Sequence, residues 1–208
     1  MKIVSISDTH GSHRNLELPS GDMLIHAGDI SKRGLKSEVL DFLDYFSALD
    51  FEHKIFIAGN HDFFFEKETV EDIAKIIPPN VIYLNDSGIE IEGINIWGSP
   101  IQPWFYDWAF NRQRGAKIAK HWDLIPDNTD ILITHGPPMG ILDKVVGGEH
   151  VGCQDLTNRI KGLNLKMHVF GHIHEAYGSQ KEDGTEFINA SVLDVKYRLM
   201  NPAFVREL

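Results

Sequence analysis

The sequence predicts an α/β domain in which parallel strands are joined by crossover helices, and three observations carry that expectation. Short β-branched apolar runs alternate with segments of helical periodicity over most of the chain. Five of the runs end in Asp, Asn or His beside a glycine or threonine, as strands do when their carboxyl ends form a polar rim. The composition is that of a globular protein, with 42% hydrophobic and 24% charged residues in 208.

The apolar strands read at 2–7, 23–27, 54–58, 81–84, 89–97, 130–134 and 167–170. A helix is expected over 35–49, where Leu35, Val39, Leu40, Phe42, Leu43 and Phe46 recur on one broad face. Further helices are expected near 69–77, opened by Thr69-x-x-Asp72 as a capping box, near 111–124 and near 153–163. The stretch 176–207 changes character. Glu182-Asp183-Gly184 between alternating segments signals a hairpin, and extended residues follow, so an antiparallel portion is expected at the end.

Length and charge bound the rest. Area scaling leaves roughly 9,800 Å² exposed, which suits one core and a single domain over 1–208. A formal charge of -10 excludes a broad surface for long nucleic acid or an anionic membrane. No apolar run approaches the roughly 18 residues that cross a bilayer, and no export signal precedes the first strand, so a cytoplasmic location is expected. Cys153 has no partner for an internal disulfide. What stands out is 11 histidines in so acidic a chain.

Their placement is informative. Asp8-Thr9-His10 follows the first strand, Gly28-Asp29 the second, Gly59-Asn60-His61-Asp62 the third, His135-Gly136 follows Ile131-Leu132-Ile133-Thr134, and Gly171-His172-Ile173-His174 follows His168-Val169-Phe170. In an open α/β sheet such groups converge outside the strand ends. An extended segment would turn Asp8 and His10, and likewise His172 and His174, to one side, so each pair can serve one metal cluster. A lone Asp-x-His is commonly a turn or helix cap; five such motifs in this order are specific. Oxygen and imidazole donors without thiolate suit manganese, iron or zinc, and two divalent cations against Asp8 and Asp29 would leave a positive site that attracts a phosphate ester.

These motifs resemble the calcineurin-like metallophosphoesterase superfamily. Trp97-Gly98-Ser99-Pro100, Trp108-Ala109-Phe110-Asn111, Thr134-His135-Gly136-Pro137-Pro138 and Glu149-His150-Val151-Gly152-Cys153 are similar in particular to its metallophosphoesterase-domain branch, which includes brain and foetal-brain proteins and hydrolyses phosphodiesters, cyclic nucleotides among them. The resemblance implies a four-layer α/β/β/α sandwich with two mixed sheets. It implies two divalent ions, manganese favoured: one held by Asp8, His10, Asp29 and His174, the other by Asp29, Asn60, His135 and His172. A hydroxide bridging them would attack phosphorus. His61 would be the general acid, its imidazole oriented by Asp62.

Protein Ser/Thr phosphatases carry Gly-Asp-x-Val-Asp-Arg-Gly and Gly-Asn-His-Glu. Here Gly28-Asp29-Ile30-Ser31-Lys32-Arg33-Gly34 and Gly59-Asn60-His61-Asp62 stand instead, which disfavours a phosphoprotein substrate. A small phosphodiester, nucleotides included, is the expected partner. A phosphomonoesterase with the same centre and a non-catalytic metal-binding scaffold are the alternatives.

Around the site, Trp104, Phe105, Tyr106, Trp108 and Phe110 form an aromatic loop that either stacks on a nucleobase or packs as satellite core. Arg33, Arg112 and Arg114 are candidates for the ester phosphate. His150 lies on a glycine-rich loop within reach of a substrate but has no derived role. His13, His26, His53, His121 and His168 are expected to be structural or superficial.

Overall fold

A computed structural model describes residues 1–208. In chain order, β1 (Lys2–Ile6), β2 (Met23–His26), α1 (Lys36–Ala48), β3 (His53–Phe56), α2 (Phe63–Lys67), α3 (Val70–Ile76) and β4 (Ile82–Tyr83) make the first part. There follow β5 (Ser87–Ile91), β6 (Ile94–Ser99), the short β7 (Gln102–Pro103) and β8 (Asn111–Arg112), then α4 (Ala116–Trp122), β9 (Ile131–Thr134), α5 (Gln154–Ile160), β10 (Met167–Phe170), β11 (Gly178–Glu182), β12 (Thr185–Asn189) and β13 (Phe204–Glu207).

The strands form two large sheets, ordered β13-β1-β2-β3-β4 and β11-β12-β10-β9-β6-β5. Both are mixed. In the first, β1 through β4 are parallel and β13 runs antiparallel to β1. In the second, β6, β9, β10 and β12 are parallel, with β5 and β11 antiparallel at the two edges. Periodicity alone pointed to one sheet with late antiparallel strands; the second sheet, implied by the resemblance, is present.

Alternation along the strands builds the layers. Ile3, Ile25, Ile55 and Ile57 from the first sheet meet Ile96, Ile131, Ile133, Val169 and Ile188 from the second in one buried cluster. Their neighbours Val4, Leu24 and Phe56 turn outward, where Phe42 of α1 packs 5.5 Å from the Phe56 ring. Leu132 and Phe170 likewise turn outward and join the cluster that holds Trp122 of α4 and Leu156 of α5. Helix, sheet, sheet and helix are thus the four layers, and 9500 Å² of surface remains accessible.

Several elements differ from expectation for local reasons. The stretch 89–97 is a hairpin, because Glu92 and Gly93 take φ of 49° and 77° and split it into β5 and β6. Helix α4 begins at Ala116, since Gly115 at φ 80° stops regular structure before it, and residues 111–112 form a strand instead. Thr69 Oγ1 accepts from the Asp72 amide at 3.1 Å as a cap, but the Asp72 carboxylate takes the Thr69 hydroxyl, not its amide, so the reciprocal half of the box is missing. The Asp183-Gly184 turn, φ 50° and 86°, closes the expected late hairpin.

Candidate metal centre

The carboxyl ends of β1, β2 and β3 in one sheet and of β9 and β10 in the other open on the same rim, and there the sequence motifs meet. Asp8, His10 and His174 bring ligand atoms within 4.8 Å of one another, and Asp29, His135 and His172 do the same. Asp29 lies between the groups: its Oδ2 is 3.5 Å from His10 Nε2 and 3.4 Å from His135 Nε2. Asn60 Oδ1 stands 2.9 Å from His135 Nε2. Thus all seven residues expected to hold metal converge, although the two histidines of Gly-His-x-His divide between the groups.

They do not converge by strand alternation. Asp8, His10, Asp29 and His172 have φ of 56°, 41°, 56° and 68°, a left-handed conformation costly for residues with side chains. Strand ends that turn sharply, not extended segments, aim these groups. Crowding around the turns excludes any Cβ on Gly171, which would overlap Asp8 Oδ2 and Ser7 Oγ.

Backbone carbonyls fix the imidazoles. His10 Nδ1 faces Ser31 O at 3.2 Å, His135 Nδ1 faces Ala27 O at 2.9 Å and His174 Nδ1 faces Asp194 O at 3.0 Å. A carbonyl only accepts, so each Nδ1 donates its proton there and each Nε2 is left facing the centre, where it can bind either a proton or a metal. His10 Nε2 is buried and has no hydrogen-bond partner. Asn60 Oδ1, which only accepts, and His135 Nε2 face one place between them, which a proton on Nε2 or a cation can fill. The donor set therefore fits borderline divalent ions.

The charges agree. Burial alone would raise the carboxyls, but His174, His135 and His10 outweigh it and hold Asp8 well below the usual carboxylate range; His135 and His10 do the same for Asp29. Burial opposes charge on His135 and His174 in turn, yet Asp29 beside the first and Asp8 beside the second raise each to about 9. Burial depresses His172 to about 3. A pair of carboxylates buried together thus draws positive charge to itself, by protons or by metal. Further bonds hold them in place. Asp8 accepts from the His172 amide at 2.9 Å and from Ser191 Oγ at 2.7 Å.

His61 stands beside the first group, its ring 4.6 Å from that of His10 and stacked 4.3 Å from Trp108. Its expected partner is corrected. The Asp62 carboxylate accepts from the amides of Ile30, Ser31 and Gly59 and from Ser31 Oγ, and makes no bond to the imidazole. Adjacent residues in this turn point opposite ways, so Asp62 ties the turn to the Asp29 loop. The Lys32 carbonyl, 2.8 Å from His61 Nδ1, orients the ring.

The aromatic loop divides. Phe110 is buried, Phe105 sets its ring 5.4 Å from His172, and Trp104 and Tyr106 are 51% and 76% exposed. The Ala109 amide donates to Asn60 O, fastening the loop to the metal motif. Arg112 bonds Asn111 O and lies near Glu66, and Arg114 donates to Val151 O and Gly152 O, so neither guanidinium reaches into the centre. His150 donates from Nδ1 to buried Asp143. The five remaining histidines sit in the core or near carboxylates away from the rim: His26 and His168 among phenylalanines, His13, His53 and His121 beside Asp41, Glu92 and Asp86.

Two contributors escaped the sequence. Tyr197, at φ 57°, places its ring 5.0 Å from His10 and 5.2 Å from His174. Ser191 holds Asp8 as described. Asn189-Ala190-Ser191 repeats the polar strand-end pattern at β12 and was the signal available for it.

The sequence profile of the family described as calcineurin-like phosphoesterase matches residues 1–176. The chain is 43% identical to metallophosphoesterase domain-containing protein 1 of Homo sapiens, over all of this chain and 71% of the human one. A UPF0046 protein of Caenorhabditis elegans is 36% identical over 92% of this chain and 69% of its own length. Among solved structures, phosphopantetheinyl hydrolase of Mycobacterium tuberculosis superimposes with a TM-score of 0.61 at 17% identity, covering 94% of this chain and 90% of that one, a likeness of fold.

Proposed function

The chain belongs to the calcineurin-like phosphoesterase family, and on that premise we propose that it hydrolyses small phosphodiesters, nucleotide esters included, at a centre of two divalent cations with manganese favoured. Membership in the family implies metal-dependent phosphoester hydrolysis. The observation that carries the dinuclear reading is the pair of ligand groups Asp8–His10–His174 and Asp29–His135–His172, with Asp29 Oδ2 between them at 3.5 Å from His10 Nε2 and 3.4 Å from His135 Nε2. In it, Asp8, His10, Asp29 and His174 hold one ion, and Asp29, Asn60, His135 and His172 the other. Such a pair supplies an activated water and neutralises charge on the phosphoryl oxygens.

The residues supply the rest. Ser31, Ala27 and Asp194 carbonyls hold the ligand rings in the tautomer that coordinates. His61, hydrogen-bonded through Nδ1 to Lys32 O, keeps Nε2 to deliver a proton to the departing oxygen. Trp108, stacked on its face, holds the ring and keeps water from one side. A diester is favoured over a monoester because Arg112 and Arg114, both engaged with backbone carbonyls, do not turn to balance the second charge of a monoester dianion. No helix is long and apolar enough to cross a membrane, and a cytoplasmic setting belongs to the same reading.

Metal analysis combined with initial rates on 2′,3′- and 3′,5′-cyclic nucleotides, nucleoside monophosphates and a bis-nitrophenyl ester tests it. Turnover of diesters with two bound ions is the expected result. Activity confined to monoesters would overturn the substrate class, and bound metal without turnover would mark a scaffold.

A further inference from the structure

Beside His172 the surface sinks into a cavity of 340 Å³ whose walls include Trp104, Phe105, Arg114, His150 and Val151. His172 belongs both to this cavity and to the second ligand group, so the two spaces adjoin at its ring. His61 is not in its wall. The imidazole stands at the other end of an aromatic row, with Trp108 stacked on it and Phe105 next, 6.5 Å from Trp108 and 5.4 Å from His172.

We propose that this cavity is the subsite for the ester arm that stays on phosphorus, and that it takes a planar unsaturated ring with a polar edge. This rests on reading the centre as a phosphodiesterase with His61 at the leaving oxygen. If the leaving arm faces His61, the retained arm points toward His172 and meets the cavity. Two chemistries there suit a flat ring with hydrogen-bonding atoms. Trp104 and Phe105 offer aromatic surface. His150 gives its Nδ1–H to Asp143, which fixes its tautomer and leaves Nε2 free to meet a polar edge.

The wall is also built in advance. Asp143 is fully buried and accepts from the Gly140 and Gly152 amides as well as from His150. Arg114 grips Val151 O and Gly152 O from the other side. The loop bearing His150 is therefore held from both flanks, and a ligand would not have to order it.

The test uses the manganese-loaded protein and two esters that share a leaving group, thymidine 5′-(4-nitrophenyl phosphate) and methyl 4-nitrophenyl phosphate. In each, water adds its oxygen to phosphorus, the bond to 4-nitrophenolate breaks, one proton is released and the retained arm departs as a monoester. The thymidine ester should show kcat/KM about tenfold higher or more, the order expected for one stacked base. That ratio should collapse toward one in Trp104→Ala and fall in His150→Ala, and Trp104→Phe should restore most of it. Calorimetric binding of thymidine 5′-phosphate against methyl phosphate to the same loaded protein should show the same preference and the same losses.

Equal affinities in the wild type, or a preference untouched by Trp104→Ala and His150→Ala, would overturn the subsite. Equal losses on both esters would assign the cavity to the leaving arm and overturn the proposal as stated. If neither ester is turned over, the phosphodiesterase reading fails, and the binding comparison decides the cavity by itself.

Discussion

The backbone amide of His61 donates to Oδ1 of Asp29 at 2.8 Å, while Oδ2 of the same carboxylate faces His10 and His135. The residue proposed as acid is thus suspended from the carboxylate proposed to bridge the ions. Position of the proton donor and integrity of the metal pair are one constraint.

Asp29→Asn should therefore damage both. The variant keeps an oxygen for one neighbour but loses the charge and the second acceptor, so bound metal measured by plasma spectrometry should fall from two ions to one or none. Diester turnover should drop at least about a hundredfold, the upper range for disturbing groups around a metal. Full metal occupancy in this variant would show that Asp29 does not bridge.

His61→Ala should act through the leaving group. General acid assistance is worth about 10² to 10⁴ in rate and matters most for a poorly departing alkoxide. A ribose-type diester should lose that much, whereas a nitrophenyl ester, whose anion departs unaided, should lose less than about tenfold. Equal losses on the two esters would remove the assignment.

Asp62 and His61 should separate by their effect on stability. Asp62→Ala leaves the Ile30, Ser31 and Gly59 amides without their acceptor, at about 1 to 3 kcal/mol for each buried group left unpaired. A fall in melting temperature of about 6 °C or more should follow for a chain of this size. His61, half-buried and bonded by one nitrogen, should move it by less than about 2 °C when truncated. Thermal scans on the metal-free proteins decide; a catalytic role for Asp62 without a structural one would leave its melting temperature unchanged.

Acid should destabilise the fold through His168. Burial alone depresses this imidazole to about 3. Nε2 lies 2.8 Å from Thr134 Oγ1, whose own hydroxyl donates to Gly136 O, so Nε2 is the donor and the buried Nδ1 has no partner. A folded pKa below the unfolded value of about 6.5 means stability present above that pH and lost as pH falls toward 3. Denaturant titrations of metal-free His168→Leu should show a pH slope between 4 and 6 shallower than wild type by up to about 1.4 kcal/mol per pH unit. Parallel slopes would place the acid sensitivity elsewhere, His26 and His172 being the next candidates.

Much of this centre was legible because its candidate ligands are side chains that break an apolar pattern. Asp8, Asp29, Asn60, His135 and His172 each follow a buried strand, and no packing argument needs an imidazole or carboxylate there. The role of Asp62 was misread for a physical reason: sequence adjacency to His61 suggested a hydrogen bond, whereas the turn sends the two side chains apart. The atoms that orient the rings are carbonyls of Ala27, Ser31, Lys32 and Asp194, and a carbonyl leaves no mark on residue type. The second sheet was hidden in the same way, since Ile89 through Trp97 reads as one alternating strand until Glu92 and Gly93 adopt positive φ. Tyr197 lies in a stretch with no periodicity at all, and only the folded chain brings it to His10.

The carboxylate of Asp8 is completed by the amide of His172, 164 residues later, and by the hydroxyl of Ser191, 183 residues later. Ribosomal synthesis delivers these partners in that order, so Asp8, His10, Asp29 and Asn60 emerge together with no imidazole from the second sheet to answer them. Assembly of the centre is consequently a late, long-range event, which loop closure between residue 8 and residue 191 must precede.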